Sequence, residues 1–192
     1  MAVGRCSWAG ADGPRPNPLM TAYHDDEWGR PTTDDVELFE RLVLESFQAG
    51  LSWSTILRRR AAFRAAFRGF DPALVASFDD GDRERLMSDT GIVRNRAKVD
   101  ASIGNAAAYL AICAEFGGFD GYLRTIIKEP GRSLPATATG SDIPSRTEAS
   151  MALSLNLQAR GFRFVGPTIT YAFMQSVGLV DDHLPGCFRY RG

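Results

Sequence analysis

The sequence predicts an all-α fold. Apolar residues recur at helical rather than alternating spacing. Helix start and stop residues punctuate the chain at regular intervals. No strand-like alternation, internal repeat or low-complexity tail interrupts that pattern.

Each element follows from local signals. "DDVELFERLVLESFQAG" opens on Asp34 and Asp35 and closes at Gly50, with Leu38, Leu42, Glu45 and Ala49 on one side and Glu37 and Glu40 reading as surface acids. "TILRRRAAFRAAFRGF" is a second amphipathic helix, closed by Gly69. "DPALVASF" places Pro72 after a possible Asp71 cap, and "RERLMSDTG" is a short helix ending near Gly91. "RNRAKVDASIGNAAAYLAICAEF" is long, with Val99, Ile103, Ala106 and Leu110 on one face. "FDGYLRTIIK" follows, and then "EPGRSLPATATGSDIPS", whose Pro, Gly, Ser and Thr content predicts a loop. "SRTEASMALSLNLQARG" is helical, capped by Ser145 or Thr147, and "GPTITYAFMQSVG" is opened by Pro167 and closed by Gly178.

With 192 residues the chain can bury a core, and one domain over 1–192 is expected, built as two helical lobes. No apolar run approaches the roughly 20 residues that span a bilayer, and the N-terminal stretch has no apolar signal-peptide centre. A cytoplasmic location is therefore expected, and the chain is taken as a monomer although its residues do not speak to oligomeric state. Net charge is −1, but arginines cluster at Arg58, Arg59, Arg60, Arg64 and Arg68, with Arg94, Arg96 and Lys98 beyond them. A near-neutral chain can still carry a basic face, although solvated helix surface explains the same residues. Lysine occurs only at 98 and 128.

The three cysteines form no CxxC pair and their number is odd, so a disulfide framework is not expected. Of the five Cys and His residues, four lie near the chain ends: Cys6, His24, His183 and Cys187. Such donors suit a tetrahedral Zn²⁺ with no open position, a structural clip between the ends. The Cys6–His24 spacing matches no common zinc signature, so unrelated core or surface roles fit these residues as well.

Glu45 interrupts an apolar stripe, and a buried carboxylate needs a donor or a cationic ligand. A structural hydrogen bond to an amide, indole or phenol would also serve. "QAGLSW" follows at once, giving Leu51 and Trp53, while Trp8, Tyr23 and Trp28 flank the proposed ligands. A carboxylate with aromatic walls suits a flat, electron-poor heterocycle. In "GFRFVGPTITYAFM", a turn leads Gly166, Pro167 and Thr168 into a helix, with Arg160 and Arg163 beside it. Outward N–H groups there would favour a phosphate of the DNA backbone, as in a helix-hairpin-helix element.

Together "RCSW", "YHDDEWGRP", "LFERLVLESFQAGLSW", "TGIVRNRAKV", "GFRFVGPTITYAFMQSVGLVDDH" and "CFRY" resemble the 3-methyladenine DNA glycosylase I family, in order, from Cys6 to Tyr190. The resemblance implies an all-helical, two-lobed fold of the helix-hairpin-helix DNA glycosylase superfamily. It implies a structural zinc on Cys6, His24, His183 and Cys187. It implies excision of 3-methyladenine from double-stranded alkylated DNA, with the free base as product. Glu45 matches the family's pocket glutamate, Tyr23 its pocket tyrosine and Trp53 its stacking tryptophan. Met20 departs, standing where the family often has a second tyrosine. A wall there would lose a ring and a hydroxyl. The segment between Cys6 and His24 also reads as a lengthened loop.

On this reading the damaged nucleotide is flipped into a pocket lined by Trp8, Met20, Tyr23, Trp28 and Trp53. Leu51 is the candidate wedge for the vacated space, with core packing as its alternative. N3-alkylation makes the base cationic and its glycosidic bond weak. Glu45 would accept from its amino edge, and water would attack the sugar carbon. Gly166, Thr168 and Arg163 would hold DNA backbone. Asp181 and Asp182 are expected to buttress His183. No lysine follows Lys128, so no amine nucleophile sits near the hairpin and strand cleavage is not expected. The alternative is a non-catalytic DNA-damage binding module that retains hairpin and zinc site.

Overall fold

The computed structural model describes residues 3–10, 16–128 and 134–191. Parts of two predicted loops, 11–15 and 129–133, lie outside the described residues. Among the described residues the structure is helical, with no β-strand and no helix long and apolar enough to cross a membrane.

The described residues form nine α-helices, in order: α1 (Pro18–Asp26), α2 (Asp35–Gln48), α3 (Trp53–Ala66), α4 (Pro72–Ala76), α5 (Asp80–Ser88), α6 (Arg96–Phe116), α7 (Phe119–Ile126), α8 (Glu148–Ala159) and α9 (Pro167–Ser176). Side-chain caps start most of them. Asp34 accepts from the Glu37 N–H, Asp71 from Ala73 and Leu74, Asn95 from Lys98, and Thr147 from Ser150. Thr147, not Ser145, therefore caps α8.

Helix α2 is the central element. It packs on α3, α6, α7 and α9. Ten of its residues, Leu38 to Phe47, are buried, so burial extends round the helix beyond its apolar stripe and takes in Glu40, Arg41, Glu45 and Ser46. One core joins Phe39, Phe47, Phe63, Phe67, Tyr109, Phe119 and Phe173 from five of these helices and the turn after α3.

Four expectations change. The segment between Cys6 and His24 is not simply a loop: Ser7–Ala9 forms a 3-10 turn, and α1 starts at Pro18 behind an Asn17 cap. Helix α3 stops at Ala66, because Arg68, Gly69 and Phe70 all take positive φ. Leu110 is 37% exposed, and Tyr109 takes the inward place, its hydroxyl donating to the Asp35 carbonyl at 2.9 Å. Glu40 is buried rather than a surface acid, because α3 brings Arg60 (2.6 Å) and Arg64 (2.9 Å) onto its carboxylate.

Part of the arginine cluster is thus spent on contacts within the fold, while Arg58, Arg64 and Arg68 stay exposed. Arg60 also pairs with Glu27 at 2.5 Å, and Arg59 donates to the carbonyls of Thr90, Gly91 and Ile92. Lys98 is buried too, at 7% exposure, and is not part of a basic face.

Candidate functional site

A cavity of about 360 Å³ opens between α1, α2, α3 and α9. Trp8, Met20, Tyr23, Trp28, Glu45 and Trp53 all line it. They come from four elements: the N-terminal turn, α1 and its C-terminal end, the last turn of α2, and the first residue of α3. The structure adds Gln48, Ile143, Ala172 and Gln175, which sequence patterning did not single out.

Glu45 is 5% exposed, and no hydrogen bond among the described residues reaches its carboxylate. Burial pushes its acid up to about 8, against the opposing pull of the Arg41 guanidinium one turn away. The structural hydrogen bond that would have explained a buried Glu45 is thus not among these contacts. In the same wall, Trp53 Nε1 is buried and unpartnered. Tyr23 tilts against Trp53 with ring centroids 5.3 Å apart, and burial followed by the nearby Glu45 raises its phenol well above the usual range. An acceptor and a donor without partners, between aromatic rings, can bind a flat polar ring whose edge supplies both.

Leu51 does not line the cavity. It stands 38% exposed on the turn from α2 to α3, so it is not packed in the core. That turn is closed twice: the Leu51 N–H donates to the Gln48 carbonyl at 2.7 Å, and Gln48 Nε2 donates to the Leu51 carbonyl at 2.8 Å. Gly50 holds φ +84° there, a conformation costly for other residues.

The turn between α8 and α9 is pinned from three sides. Asn105 Nδ2 donates to the Arg163 carbonyl (3.0 Å) and Asn105 Oδ1 accepts from the Arg163 N–H (2.8 Å). The Ser46 hydroxyl donates to the Phe164 carbonyl (2.9 Å), and Ser154 to that of Val165 (2.7 Å). These bonds hold Phe164 at φ +56°, an uncommon value for an aromatic residue. Arg163 and Thr168 are exposed and Gly166 half-buried at the start of α9. Arg160 is drawn off to Glu115, 2.6 Å away.

Beside the cavity, Cys6, His24 and Cys187 bring their ligand atoms within 4.8 Å of one another, and this cluster could hold a metal ion. His24 Nε2 lies 3.4 Å from Cys187 Sγ, while its Nδ1 faces Asp25 at 2.8 Å. His183 is adjacent, its ring 5.3 Å from that of His24. Its Nδ1 meets Asp181 at 2.7 Å, and its Nε2 is buried without a partner. Burial lowers His183's pKa despite Asp181, which favours the neutral ring that a metal requires. Burial, then Cys187, pushes the Cys6 thiol up to about 12. A cation would reverse that effect. Cys6, His24 and Cys187 form the cluster that could hold a metal ion, and His183, with its orphaned Nε2, lies beside it without being one of the three.

Of the two expected buttresses, only Asp181 reaches His183. Asp182 instead accepts from the Tyr171 hydroxyl and from Gln175 Nε2 (2.8 Å), and so anchors a cavity wall. Cavity and cluster share a boundary. Trp28 packs edge-on against Trp8 (4.8 Å) and His183 (4.6 Å), and Trp8 against His24 (5.2 Å).

Comparison with known proteins gives a consistent picture. Residues 13–190 match the family model described as methyladenine glycosylase. DNA-3-methyladenine glycosylase 1 of Escherichia coli K12 is 48% identical over 98% of this chain and 97% of its own. A crystal structure of 3-methyladenine DNA glycosylase I superposes with a TM-score of 0.88, at 45% identity, covering 97% of this chain and 99% of the other. A tyrosine-to-phenylalanine form of such an enzyme, solved in complex with 3-methyladenine, superposes at 0.84, with 35% identity over 90% and 92% of the two chains.

Proposed function

Because the chain belongs to the methyladenine glycosylase family, we propose that it excises 3-methyladenine from alkylated DNA by hydrolysing the N-glycosidic bond. It is a DNA-repair glycosylase. The observation that carries the assignment of its site is Glu45, a buried carboxylate with no hydrogen-bond partner among the described residues, which lines the same cavity as the paired rings of Tyr23 and Trp53.

The chemistry follows from the base. An N3-alkylated adenine within DNA is cationic and leaves its sugar readily, so the protein need add less than for a neutral base. The flipped base would stack on Tyr23 and Trp53, with Trp8, Met20 and Trp28 closing the pocket. Its amino edge would donate to Glu45. Burial favours the protonated acid, and a positive base beside it would shift it towards the carboxylate. The ion pair then forms away from water, where it is strongest. Water attacks the sugar carbon as the base departs.

Leu51, exposed on its braced turn, is the proposed wedge in double-stranded DNA. The N-terminus of α9, with Gly166, Thr168 and Arg163, is the proposed backbone grip of a helix-hairpin-helix element. Strand cleavage is not part of this reading. Lys98 Nζ is engaged by two carbonyls, and Lys128 lies outside the cavity lining.

Cys6, His24, His183 and Cys187 would hold a structural Zn²⁺. When bound, it would cross-link the two ends of the chain and supply no reaction chemistry. Release of 3-methyladenine from methylated duplex DNA tests the proposal. A binding module would retain the lesion and release no base.

A further inference from the structure

Two DNA-facing turns, on the reading above, are held by one helix. Lys98 and Asn105 both lie on α6, both are buried, and they are seven residues apart. At about 3.6 residues per turn, that spacing returns to the same face two turns on, about 10 Å away. Lys98 Nζ donates to the Phe47 carbonyl (2.9 Å) and the Ala49 carbonyl (3.0 Å), the end of α2 from which the Leu51 turn springs. Asn105 makes a two-way clasp with the main chain of Arg163 in the α8–α9 turn.

Neither contact is needed to complete α6 itself. Asn95 already caps its start, and Ser102 between the two residues turns back to the Lys98 carbonyl. A buried lysine is costly unless its ammonium is used. Here it serves two carbonyls at the negative end of α2. Both bonds run to main chain, so they fix where the turns are rather than what their side chains do.

We propose that Lys98 and Asn105 are positioning residues for excision from double-stranded DNA, setting the distance between the Leu51 turn and the α8–α9 turn. Neither lines the base cavity. The wedge and the backbone grip must engage one duplex together, and α6 is the rigid spacer between them. This inference rests on the glycosylase reading and on the wedge and grip roles.

The test compares Lys98→Met, Lys98→Arg and Asn105→Ala with the wild type, each checked for folding by circular dichroism. Two readouts are taken: binding of free 3-methyladenine, followed by tryptophan fluorescence, and single-turnover release of that base from methylated duplex DNA. Lys98→Met and Asn105→Ala are expected to slow duplex release at least tenfold, with free-base affinity within about twofold of wild type. Lys98→Arg, which keeps a cation and donors, is expected to recover part of the rate. The double variant should be no slower than about the worse single one, because either loss frees the same distance. If the wild type releases no base, the glycosylase reading fails. If the wild type is active and folded Lys98→Met and Asn105→Ala match it, this inference fails. Equal losses in free-base binding and release would also overturn it, since the residues would then support the pocket. Should Lys98→Met not fold, Asn105→Ala decides alone.

Discussion

Tyr23 and His24 are neighbours on α1, yet they serve different sites. The Tyr23 ring lines the cavity against Trp53, and His24 Nε2 points 3.4 Å from Cys187 Sγ in the ligand cluster. One helical turn therefore ties the wall of the cavity to the cluster of Cys and His side chains, the proposed joint between the chain ends.

That joint should hold metal and should matter for the pocket. Purified protein is expected to contain one zinc per chain by elemental analysis. Chelation should lower Tm, since a metal bound only by the folded state stabilises it by mass action. Because Trp28 packs on both His183 and Trp8, chelation should also weaken binding of free 3-methyladenine. Cys187→Ser should lose more stability than activity per folded molecule. A metal-free protein with undiminished Tm would remove the clip from this account.

Glu45 predicts a pH dependence of stability whose sign is fixed. Its acid is raised from 4.5 to about 8 in the fold. Between those values the folded state holds a proton that the unfolded chain has released. Stability therefore falls as pH rises through that window and levels off above it. Glu45→Gln removes the term. Its Tm should gain on the wild type from pH 5 to about 8.5, without ligand, and then run parallel. A constant difference across that range would contradict the buried acid.

Glu40 is expected to matter for folding only. It is 6% exposed and receives Arg60 and Arg64. Glu40→Ala leaves Arg60 with Glu27 alone and releases the half-exposed Arg64, and should cost about 1–3 kcal/mol in denaturant titrations. Excision per folded molecule should be unchanged, as Glu40 is not in the cavity wall.

Much of this was legible in the sequence, for identifiable reasons. Scarcity marked the cluster of Cys6, His24 and Cys187: with so few Cys and His, their places near the ends stood out. Periodicity marked Glu45, because an acid on an apolar stripe is conspicuous. The same device misjudged Glu40, since one helix's pattern cannot show that another will bring two arginines to it. Lys98 read as surface charge for that reason; its partners are main-chain carbonyls about fifty residues earlier, which no residue type announces. Helix α1 is short and polar, and its Asn-Pro start was its only signal. Gln48, Ile143, Ala172 and Gln175 join the cavity through tertiary packing alone.

The central claim is that Glu45 acts on the base within this pocket. It is tested most directly by single-turnover release of 3-methyladenine from methylated duplex DNA, comparing wild type with Glu45→Gln at matched zinc content and folded fraction. The neutral amide keeps the shape but puts no negative charge beside the positive charge that passes to the sugar as the base leaves neutral, so a loss of at least about tenfold, roughly 1.4 kcal/mol in the barrier, is predicted. Release by Glu45→Gln at the wild-type rate would contradict the account.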